Sequence, residues 1–321
     1  VVDSLRHLDL VCRGIYSPQQ SAMGFPDGFE PYTTSWPGVE PVKFFQTFQY
    51  FPWMERFYFD FEKDYSTAKI AYGMKAIPYV PIVISALYLI FCWVGPKVME
   101  GKKPFDLRVA LASWNMALSF FSFVGSVKVV PHMLYLLSDI GFDEIVCRNP
   151  REAYGCGAAG LWVQAFILSK IPELFDTFFI IVRKKPLIFL HWYHHFSVLL
   201  FCWHSYVTES GMGIFFVAMN YSVHAIMYFY YGLVAMRIRT KLLPPWIITI
   251  AQISQMVGGV TICCLAYRMR SRPDCDGIIG WNLAAGAAMY GTYLYLFVEF
   301  AFKKYVLKQK VDFTGGKQKK Q

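Results

Sequence analysis

Residues 187–207 read LIFLHWYHHFSVLLFCWHSYV, and these 21 residues decide the fold class because they include no Asp, Glu, Lys or Arg. About 20 mostly apolar residues in a helix are enough to cross the roughly 30 Å of hydrocarbon in a bilayer. The stretch therefore predicts a membrane-spanning helix. Three of its four histidines, His191, His194 and His195, form a cluster of polar groups that a membrane tolerates only in a protein interior or a water-filled cavity.

Six further stretches have a similar length and apolarity. With residues 187–207 included, the predicted spans are 76–95, 109–127, 157–182, 187–207, 213–236, 245–267 and 279–302. The composition agrees, because 55% of the 321 residues are hydrophobic, 17% are charged and the mean hydropathy is +0.35. A soluble domain rarely combines these values. We predict an all-α polytopic membrane protein with seven transmembrane helices.

The Lys and Arg residues between the predicted spans are distributed unevenly. One side collects 17 of them, in clusters at 97–108, 183–185 and 237–241 and in the tail from 303. The other side has six, namely Lys128, Arg148, Arg151, Arg268, Arg270 and Arg272. The positive-inside rule places the richer side in the cytosol, so we expect a luminal N-terminus and a cytosolic C-terminus. Because the net charge of +9 falls in short loop clusters, we expect no nucleic-acid partner.

The sequence divides into three parts. Residues 1–75 are rich in Pro, Gly and aromatic side chains, which predicts a loosely structured luminal extension of unknown role. Residues 76–305 hold the seven spans, and residues 306–321 form a basic cytosolic tail. The tail ends in KQKKQ at 317–321, which resembles a lysine-based retrieval signal for the endoplasmic reticulum, with contact to an anionic leaflet as the alternative.

Polar side chains recur within five of the spans and lie at or approach their cytosolic ends. The catalytic candidates are the charged and imidazole groups, Lys170, Glu173, Asp176, His191, His194, His195 and His224. The substrate-binding candidates are Asn115, Asn220, Met227, Tyr228, Tyr231, Gln252 and Gln255. Since such groups need a partner or a cavity inside a membrane, they predict one cavity that opens to the cytosol. A charged head at its entrance and an apolar tail inside describe an acyl-CoA.

The spacing of these residues supports this interpretation but leaves alternatives open. The three box histidines stand at i, i+3 and i+4, which aims three imidazoles in one direction and favours chemistry over a core role. Lys170 and Glu173 could equally form a pair that neutralises itself. Tyr231 lies near a basic loop and could belong to an aromatic belt at the membrane surface, and the glutamines could join helices by hydrogen bonds.

Four motifs resemble those of the ELO family of very-long-chain fatty-acid elongases. They are Lys170-x-x-Glu173-x-x-Asp176-Thr177, His191-x-x-His194-His195, Asn220-x-x-x-His224-x-x-Met227-Tyr228-x-Tyr230-Tyr231 and Gln252-x-x-Gln255-Met256. They stand in the family's order and spacing, and the stretch from Trp114 to Ser119 resembles a weaker one. The resemblance covers roughly residues 76–305 and implies seven helices, six of which enclose a narrow acyl tunnel.

The resemblance also implies an activity, that of an acyltransferase which condenses an acyl-CoA with malonyl-CoA to a 3-oxoacyl-CoA, carbon dioxide and CoA. His191 at the first box position implies a long-chain saturated or monounsaturated primer. No cofactor is implied, since NADPH serves only the downstream enzymes. The expected partners are the two CoA substrates, the bilayer of the endoplasmic reticulum, and the reductases and dehydratase of the elongation cycle. A homodimer is compatible with the sequence.

The box histidines can be given hypothetical roles. A neutral imidazole can attack a thioester to form an acyl-imidazole, and we assign this to His194, with His224 facing it from the next span. His191 and His195 would orient the imidazoles or move protons. The enolate of malonyl-CoA would be stabilised by Lys170, Asn220 and Gln252. Cys202 is a poor nucleophile candidate, because it lies seven residues from His195, about 10 Å along a helix.

Two other functions compete with this one. A di-iron desaturase or hydroxylase also carries an H-x-x-H-H box, but two irons need about eight or more histidines and this chain has seven in all, so we predict no metal. A seven-span transporter or receptor would use intramembrane charges as a substrate path, but no inverted repeat is evident.

The eight cysteines include no C-x-x-C pair, which disfavours a zinc site. Cys147 and Cys275 fall in predicted luminal loops among polar residues, and Cys156 lies near a membrane end. Because the lumen is oxidising, we predict a disulfide, with the pairing of Cys147 and Cys275 ranked first.

Overall fold

The computed structural model of the protein describes residues 32–34, 42–44, 46–238 and 243–307. Within these ranges the chain is mainly helical, in agreement with the predicted all-α class. A short antiparallel hairpin of β1 (Tyr32–Thr34) and β2 (Val42–Phe44) precedes the helices, with Thr33 opposite Lys43. Of the predicted basic tail, residues 306–321, the part from residue 308 onward lies outside the described residues.

The helices fall into two groups. Short helices form an N-terminal group, and a second group, from residue 80 onward, includes the predicted spans. The N-terminal group consists of α1 (Thr47–Tyr50), a 3-10 turn (Pro52–Phe57), α2 (Asp60–Lys63) and α3 (Ala68–Ala76). The second group begins with α4 (Val80–Val98), α5 (Arg108–Asp139), α6 (Gly141–Cys147) and α7 (Arg151–Tyr154). It continues with α8 (Gly157–Glu173), α9 (Phe175–Val182), α10 (Phe189–Val207), α11 (Gly213–Ala235), α12 (Pro245–Met269) and α13 (Gly280–Ala301), followed by a π-helical turn (Phe302–Val306).

Three of the described helices, α4, α5 and α12, are long and apolar enough to cross a membrane by length and hydropathy alone. Helices α10, α11 and α13 have 19, 23 and 22 residues and at most one charged side chain each, so they are long enough but less apolar. Their histidines, asparagines and tyrosines lower the hydropathy. The same residues that form the candidate site therefore weaken the hydropathy signal.

The predicted third span, 157–182, is interrupted at Leu174, where α8 ends and α9 begins. Pro172 lies in the last turn of α8 and has no N–H to donate to the preceding turn. The backbone tightens there, since Leu174 N–H bonds to the carbonyl of Ile171, three residues earlier. The two helices together still cover the predicted segment.

The predicted second span, 109–127, is too short. Helix α5 has 32 residues, about 48 Å at 1.5 Å per residue, and continues through Pro131. Lys128, predicted to lie in a loop, is therefore a helical residue and is only 3% exposed. Its Nζ lies 2.5 Å from Oε2 of Glu62 and 4.0 Å from the ring centre of Tyr58.

The segment before residue 76 is not loosely structured from residue 46 onward. Glu62, which is 1% exposed, accepts a 2.8 Å hydrogen bond from Nε1 of Trp162 on α8 as well as pairing with Lys128. The Gln46 side chain accepts a 3.0 Å bond from the N–H of Ala158. Partners for these polar groups lie far away in sequence, which is why local composition did not indicate them.

Small residues allow the long helices to pack closely. A Cβ at Gly125 on α5 would lie 2.4 Å from the ring of Tyr221 on α11, so the ring rests directly on the α5 backbone. The hydroxyl of Tyr221 donates a 2.8 Å bond to the carbonyl of Trp162 on α8. A Cβ at Gly259 on α12 would lie 2.2 Å from the ring of Tyr290 on α13. These contacts hold the bundle together below the site.

A disulfide joins Cys147 at the end of α6 to Cys275 in the loop before α13, the pairing that was ranked first. The N–H of Gly277 bonds to the carbonyl of Cys147, and the N–H of Gly211, which follows α10, bonds to the carbonyl of Gly277. Three connecting segments thus meet at one end of the bundle. The histidine box lies at the other end of α10.

Candidate active site

A cavity of about 470 Å³ opens among six of the helices, α5, α9, α10, α11, α12 and α13. On α11 it reaches from Asn220 to Ala235, which is about 22 Å along the helix axis at 1.5 Å per residue. None of its described lining residues comes from α4. The cavity is therefore elongated along α11, a shape that suits an extended molecule.

Most of the predicted site residues line this cavity. They are Asn115, Asp176, His191, His194, His195, Asn220, His224, Met227, Tyr228, Tyr231, Gln252 and Gln255. Two predicted residues, Lys170 and Glu173, are not among the lining residues. The alternative of an aromatic belt does not describe Tyr231 fully, because its side chain lines the cavity although the residue is 42% exposed.

The box histidines lie in the first two turns of α10, which begins at Phe189 after an extended residue, Ile188. The rings of His191 and His195 are 4.4 Å apart between centres, and those of His194 and His195 are 5.5 Å apart. Tyr293 of α13 packs on His194 at 5.0 Å and donates a 3.2 Å bond to its carbonyl. The i, i+3, i+4 spacing therefore does bring three imidazoles together on one side of the helix.

Asp176 is held by donors from two other helices. Nε1 of Trp114 on α5 bonds to Oδ1 at 2.6 Å, and the hydroxyl of Tyr228 on α11 bonds to Oδ2 at 2.8 Å. The ring of Tyr228 meets that of His224 edge to face, with 5.2 Å between centres. Because both carboxylate oxygens already accept bonds, the geometry favours a role for Asp176 in positioning Tyr228 and, through it, His224.

Lys170 and Glu173 form an ion pair behind the cavity wall. Nζ of Lys170 lies 2.7 Å from Oε1 of Glu173, to which Ser169 also donates at 2.8 Å. The two charges therefore neutralise each other, which is one of the two alternatives allowed by their i, i+3 spacing. Its link to the cavity is Asn220, whose Oδ1 lies 3.4 Å from the ammonium. The ammonium group of Lys170 thus contacts both the carboxylate of Glu173 and the amide of Asn220, which lines the cavity.

Gln252 and Met227 connect α12 to α11 across the cavity. Nε2 of Gln252 lies 3.2 Å from Sδ of Met227. A thioether is a weak acceptor, so this contact leaves most of the amide's hydrogen-bonding capacity for another partner. Gln255, one turn further along α12, is 6% exposed. Both side chains line the cavity, which fits a binding role better than interhelical bonding alone.

Comparison with known proteins now identifies the group to which this arrangement belongs. Residues 74–312 match the GNS1/SUR4 family, ELO. The chain belongs to the ELO family. Very long chain fatty acid elongase 6 of Gallus gallus is 38% identical over 258 residues, which cover 79% of this chain and 96% of that protein. The human very long chain fatty acid elongase 6 is 37% identical over 252 residues, 78% of this chain and 94% of its own length. Fatty acid elongase 3 of Trypanosoma brucei brucei is 37% identical, covering 74% and 87%.

The ELO cavity also includes residues that pattern alone did not select. Two of these are cationic, Arg183 and Lys185, which follow α9 and precede the histidine box. Between them Lys184 has a positive φ of 53°, which turns the chain at the end of α9. In the sequence, Arg183 and Lys185 belong to the basic cluster 183–185, which we used only to predict the topology. Apolar lining comes from Leu111, Phe179, Ile180, Ile188, Leu190, Val223, Val234, Met256, Phe297 and Phe300.

The described residues of this ELO protein include no group of three or more His, Cys, Asp or Glu side chains with the geometry of a metal site. The three box imidazoles instead contact each other through their ring faces and edges. Within the described chain, the ring nitrogens of His194, His195 and His224 have no protein hydrogen-bond partner, whereas Nε2 of His191 has one. Three imidazoles that line the cavity are thereby left to interact with a bound molecule.

Proposed function

We propose that this ELO protein condenses a long-chain saturated or monounsaturated acyl-CoA with malonyl-CoA, giving a 3-oxoacyl-CoA two carbons longer, carbon dioxide and CoA. The observation that carries the proposal is the cavity in which four imidazoles, those of His191, His194, His195 and His224, meet. The printed names of the relatives, fatty acid elongases, support the same reaction class.

We place the protein in the endoplasmic reticulum membrane with seven spans, formed by α4, α5, α8 with α9, α10, α11, α12 and α13. The N-terminus is luminal and the C-terminus cytosolic. With Lys128 removed from the luminal loops, the count of basic residues is 17 against 5, so the positive-inside rule points the same way. The disulfide supports this orientation, because it lies at the end of the bundle away from the histidines.

The cytosolic entrance accounts for the charged part of the substrates. Arg183 and Lys185 line the cavity close to the start of α10. Guanidinium and ammonium groups are the usual protein ligands of phosphate oxygens. The phosphates of CoA would bind here, and the pantetheine arm would extend along the cavity to the imidazoles.

The first chemical step transfers the acyl group to the enzyme. An imidazole nitrogen of His194 attacks the carbonyl carbon of the thioester, and the carbon–sulfur bond breaks. CoA leaves as a thiolate and takes the proton that the acylated imidazole loses. His224, which also lines the cavity, would hydrogen-bond the reacting groups.

The second step forms the new carbon–carbon bond. Malonyl-CoA loses carbon dioxide, and the electron pair of the broken bond remains as an enolate. Amides that line the cavity, Asn220 and Gln252, are candidates to stabilise this enolate, and Lys170 polarises Asn220 from behind. The enolate carbon attacks the acyl carbon, the carbon–nitrogen bond to His194 breaks, and the imidazole regains a proton. One proton is consumed in each condensation.

This reaction needs neither a metal nor a redox cofactor. We propose that NADPH is used only by the enzymes that reduce the product, and that these reductases and a dehydratase are partners in the membrane.

The test is to incubate the purified protein with radiolabelled malonyl-CoA and a panel of acyl-CoAs and to identify the products by mass. The expected product is a 3-oxoacyl-CoA two carbons longer, and His194→Ala should abolish it. Near-normal condensation by His194→Ala would remove this residue as the nucleophile. Two equivalents of iron together with oxygen-dependent activity would instead support the di-iron alternative, and absence of malonyl-CoA decarboxylation would favour a transporter.

A further inference from the structure

A chain of hydrogen bonds runs from α4, which lines no part of the cavity, to the first box histidine. The hydroxyl of Tyr88 lies 2.8 Å from Oγ1 of Thr177 on α9, and this oxygen lies 2.9 Å from Nε2 of His191. Thr177 is fully buried and Tyr88 is 5% exposed. Tyr88 belongs to none of the motifs that indicated the site.

We propose that Tyr88 and Thr177 fix the tautomer of His191, so that Nε2 is an acceptor inside the protein and Nδ1–H is a donor on the cavity side. Both would be positioning residues, since neither lines the cavity. The effect on catalysis rests on the proposed condensation, but the tautomer itself does not.

The direction of the chain follows from counting donors and acceptors. If Tyr88 donates to Thr177 and Thr177 donates to Nε2 of His191, both hydroxyl protons go to good acceptors. In the reverse direction Nε2–H donates to Thr177, which donates to Tyr88. The proton of Tyr88 then has only the thiol of Cys92 near it among the described residues, and sulfur is a weak acceptor. Since a buried hydroxyl without a good acceptor is destabilising, the first direction is favoured.

The consequence for His191 follows from ring geometry. Thr177 is completely buried, so Nε2 points away from the cavity that His191 lines. The two ring nitrogens lie on different edges of the imidazole, so the bond from Nε2 to Thr177 leaves Nδ1–H for the cavity, and no protein hydrogen bond to Nδ1 is formed among the described residues. An imidazole whose lone pair is already engaged is a poor nucleophile and a good hydrogen-bond donor. This separates the role of His191 from that of His194, whose ring has no protein partner among the described residues.

The main variant is Tyr88→Phe, which removes one oxygen and keeps the ring. Its kcat for condensation should fall about ten- to a hundredfold, by analogy with the losses that follow removal of a group that orients a metal-bound histidine. The KM values for both CoA substrates should stay within about twofold. Thr177→Val should have at least the same effect, whereas Thr177→Ser, which keeps the hydroxyl, should retain most of the activity.

Tyr206→Phe is a matched control. Tyr206 is 8% exposed, and its hydroxyl accepts a 2.7 Å bond from Nε2 of Gln164 near the far end of α10. Its loss should lower the melting temperature about as much as Tyr88→Phe does, while kcat is unchanged. Equal losses of kcat in both variants would mean that Tyr88 acts only through stability, and the proposal would be wrong.

The tautomer can be measured without activity. In protein labelled with 15N-histidine, the resonances of His191, assigned by comparison with His191→Gln, should show a protonated Nδ1 and an unprotonated Nε2. Tyr88→Phe should produce a mixture of tautomers. A protonated Nε2 in the wild type refutes the proposal. If the wild type shows the expected tautomer but no condensation, the proposed function fails and the positioning role survives.

Discussion

Breaking the buried ion pair between Lys128 and Glu62 should destabilise the protein strongly. The two side chains are 3% and 1% exposed and their charged atoms are 2.5 Å apart. Glu62→Gln leaves the ammonium of Lys128 buried without a counter-charge, and such a loss costs about 3–5 kcal/mol of the free energy of unfolding. At about 2–4 °C per kcal/mol for a chain of this size, the melting temperature should fall by roughly 6–20 °C.

A double-mutant cycle gives the decisive measurement. Lys128→Met removes the other charge and should cost a similar amount, because it leaves the carboxylate of Glu62 with neutral donors alone, the N–H groups of Trp162 and Phe59. The double variant, Lys128→Met with Glu62→Gln, buries no charge, so it should be more stable than either single variant. The assay is thermal unfolding in detergent. Additive losses in the double variant, or single losses below about 1 kcal/mol, would refute the reasoning that the pair holds the segment from residue 46 against the bundle.

Three other outcomes are expected. Reduction of the disulfide, which closes a loop of 128 residues, should lower the free energy of unfolding by about 5 kcal/mol, as measured by melting with and without reductant. Arg183→Ala with Lys185→Ala should raise KM for both CoA substrates about tenfold with little change in kcat, and an unchanged KM would place the phosphates elsewhere. Phe216 lies four residues before Asn220 on α11, one turn past the last lining residue at that end of the cavity, and should limit the length of the bound acyl chain. Phe216→Ala should therefore favour longer primers. The expected change in kcat/KM is about tenfold or more for each added methylene in an apolar pocket. Phe215→Ala, equally buried at 6% but packed against Phe142 of α6, should leave the chain-length profile unchanged.

Much of the site was predictable because helical spacing is local. The three box histidines, and the stripe of Asn220, His224, Met227 and Tyr231 on α11, repeat at three or four residues, which is enough to place each set on one face of its helix. The pairing of Cys147 and Cys275 followed from the predicted topology and from redox chemistry. Each of these predictions needed only one helix or one loop assignment at a time.

The features that escaped prediction depend on contacts between distant segments. Lys128 was predicted to lie in a loop because a lysine within a membrane span needs a partner and none is near it in the sequence. Its partner, Glu62, lies 66 residues earlier in the chain. The break of the third span at Leu174 is a local consequence of Pro172, but its position within the bundle is not. Arg183 was visible as a charge, yet only the turn at Lys184 shows that it faces the cavity.

The motif residues divide into those that line the cavity and those that hold the lining residues, and spacing cannot separate the two groups. Lys170 and His194 are both polar residues at predicted site positions, but one contacts the cavity only through Asn220 and the other lines it. Thr177 stands one residue from Asp176 and faces His191 instead of the cavity. Loss of activity on substitution of any of them is therefore not evidence of a chemical role. The distinction requires KM and kcat to be measured separately, together with an observable such as the tautomer of His191 that reports on the supporting group alone.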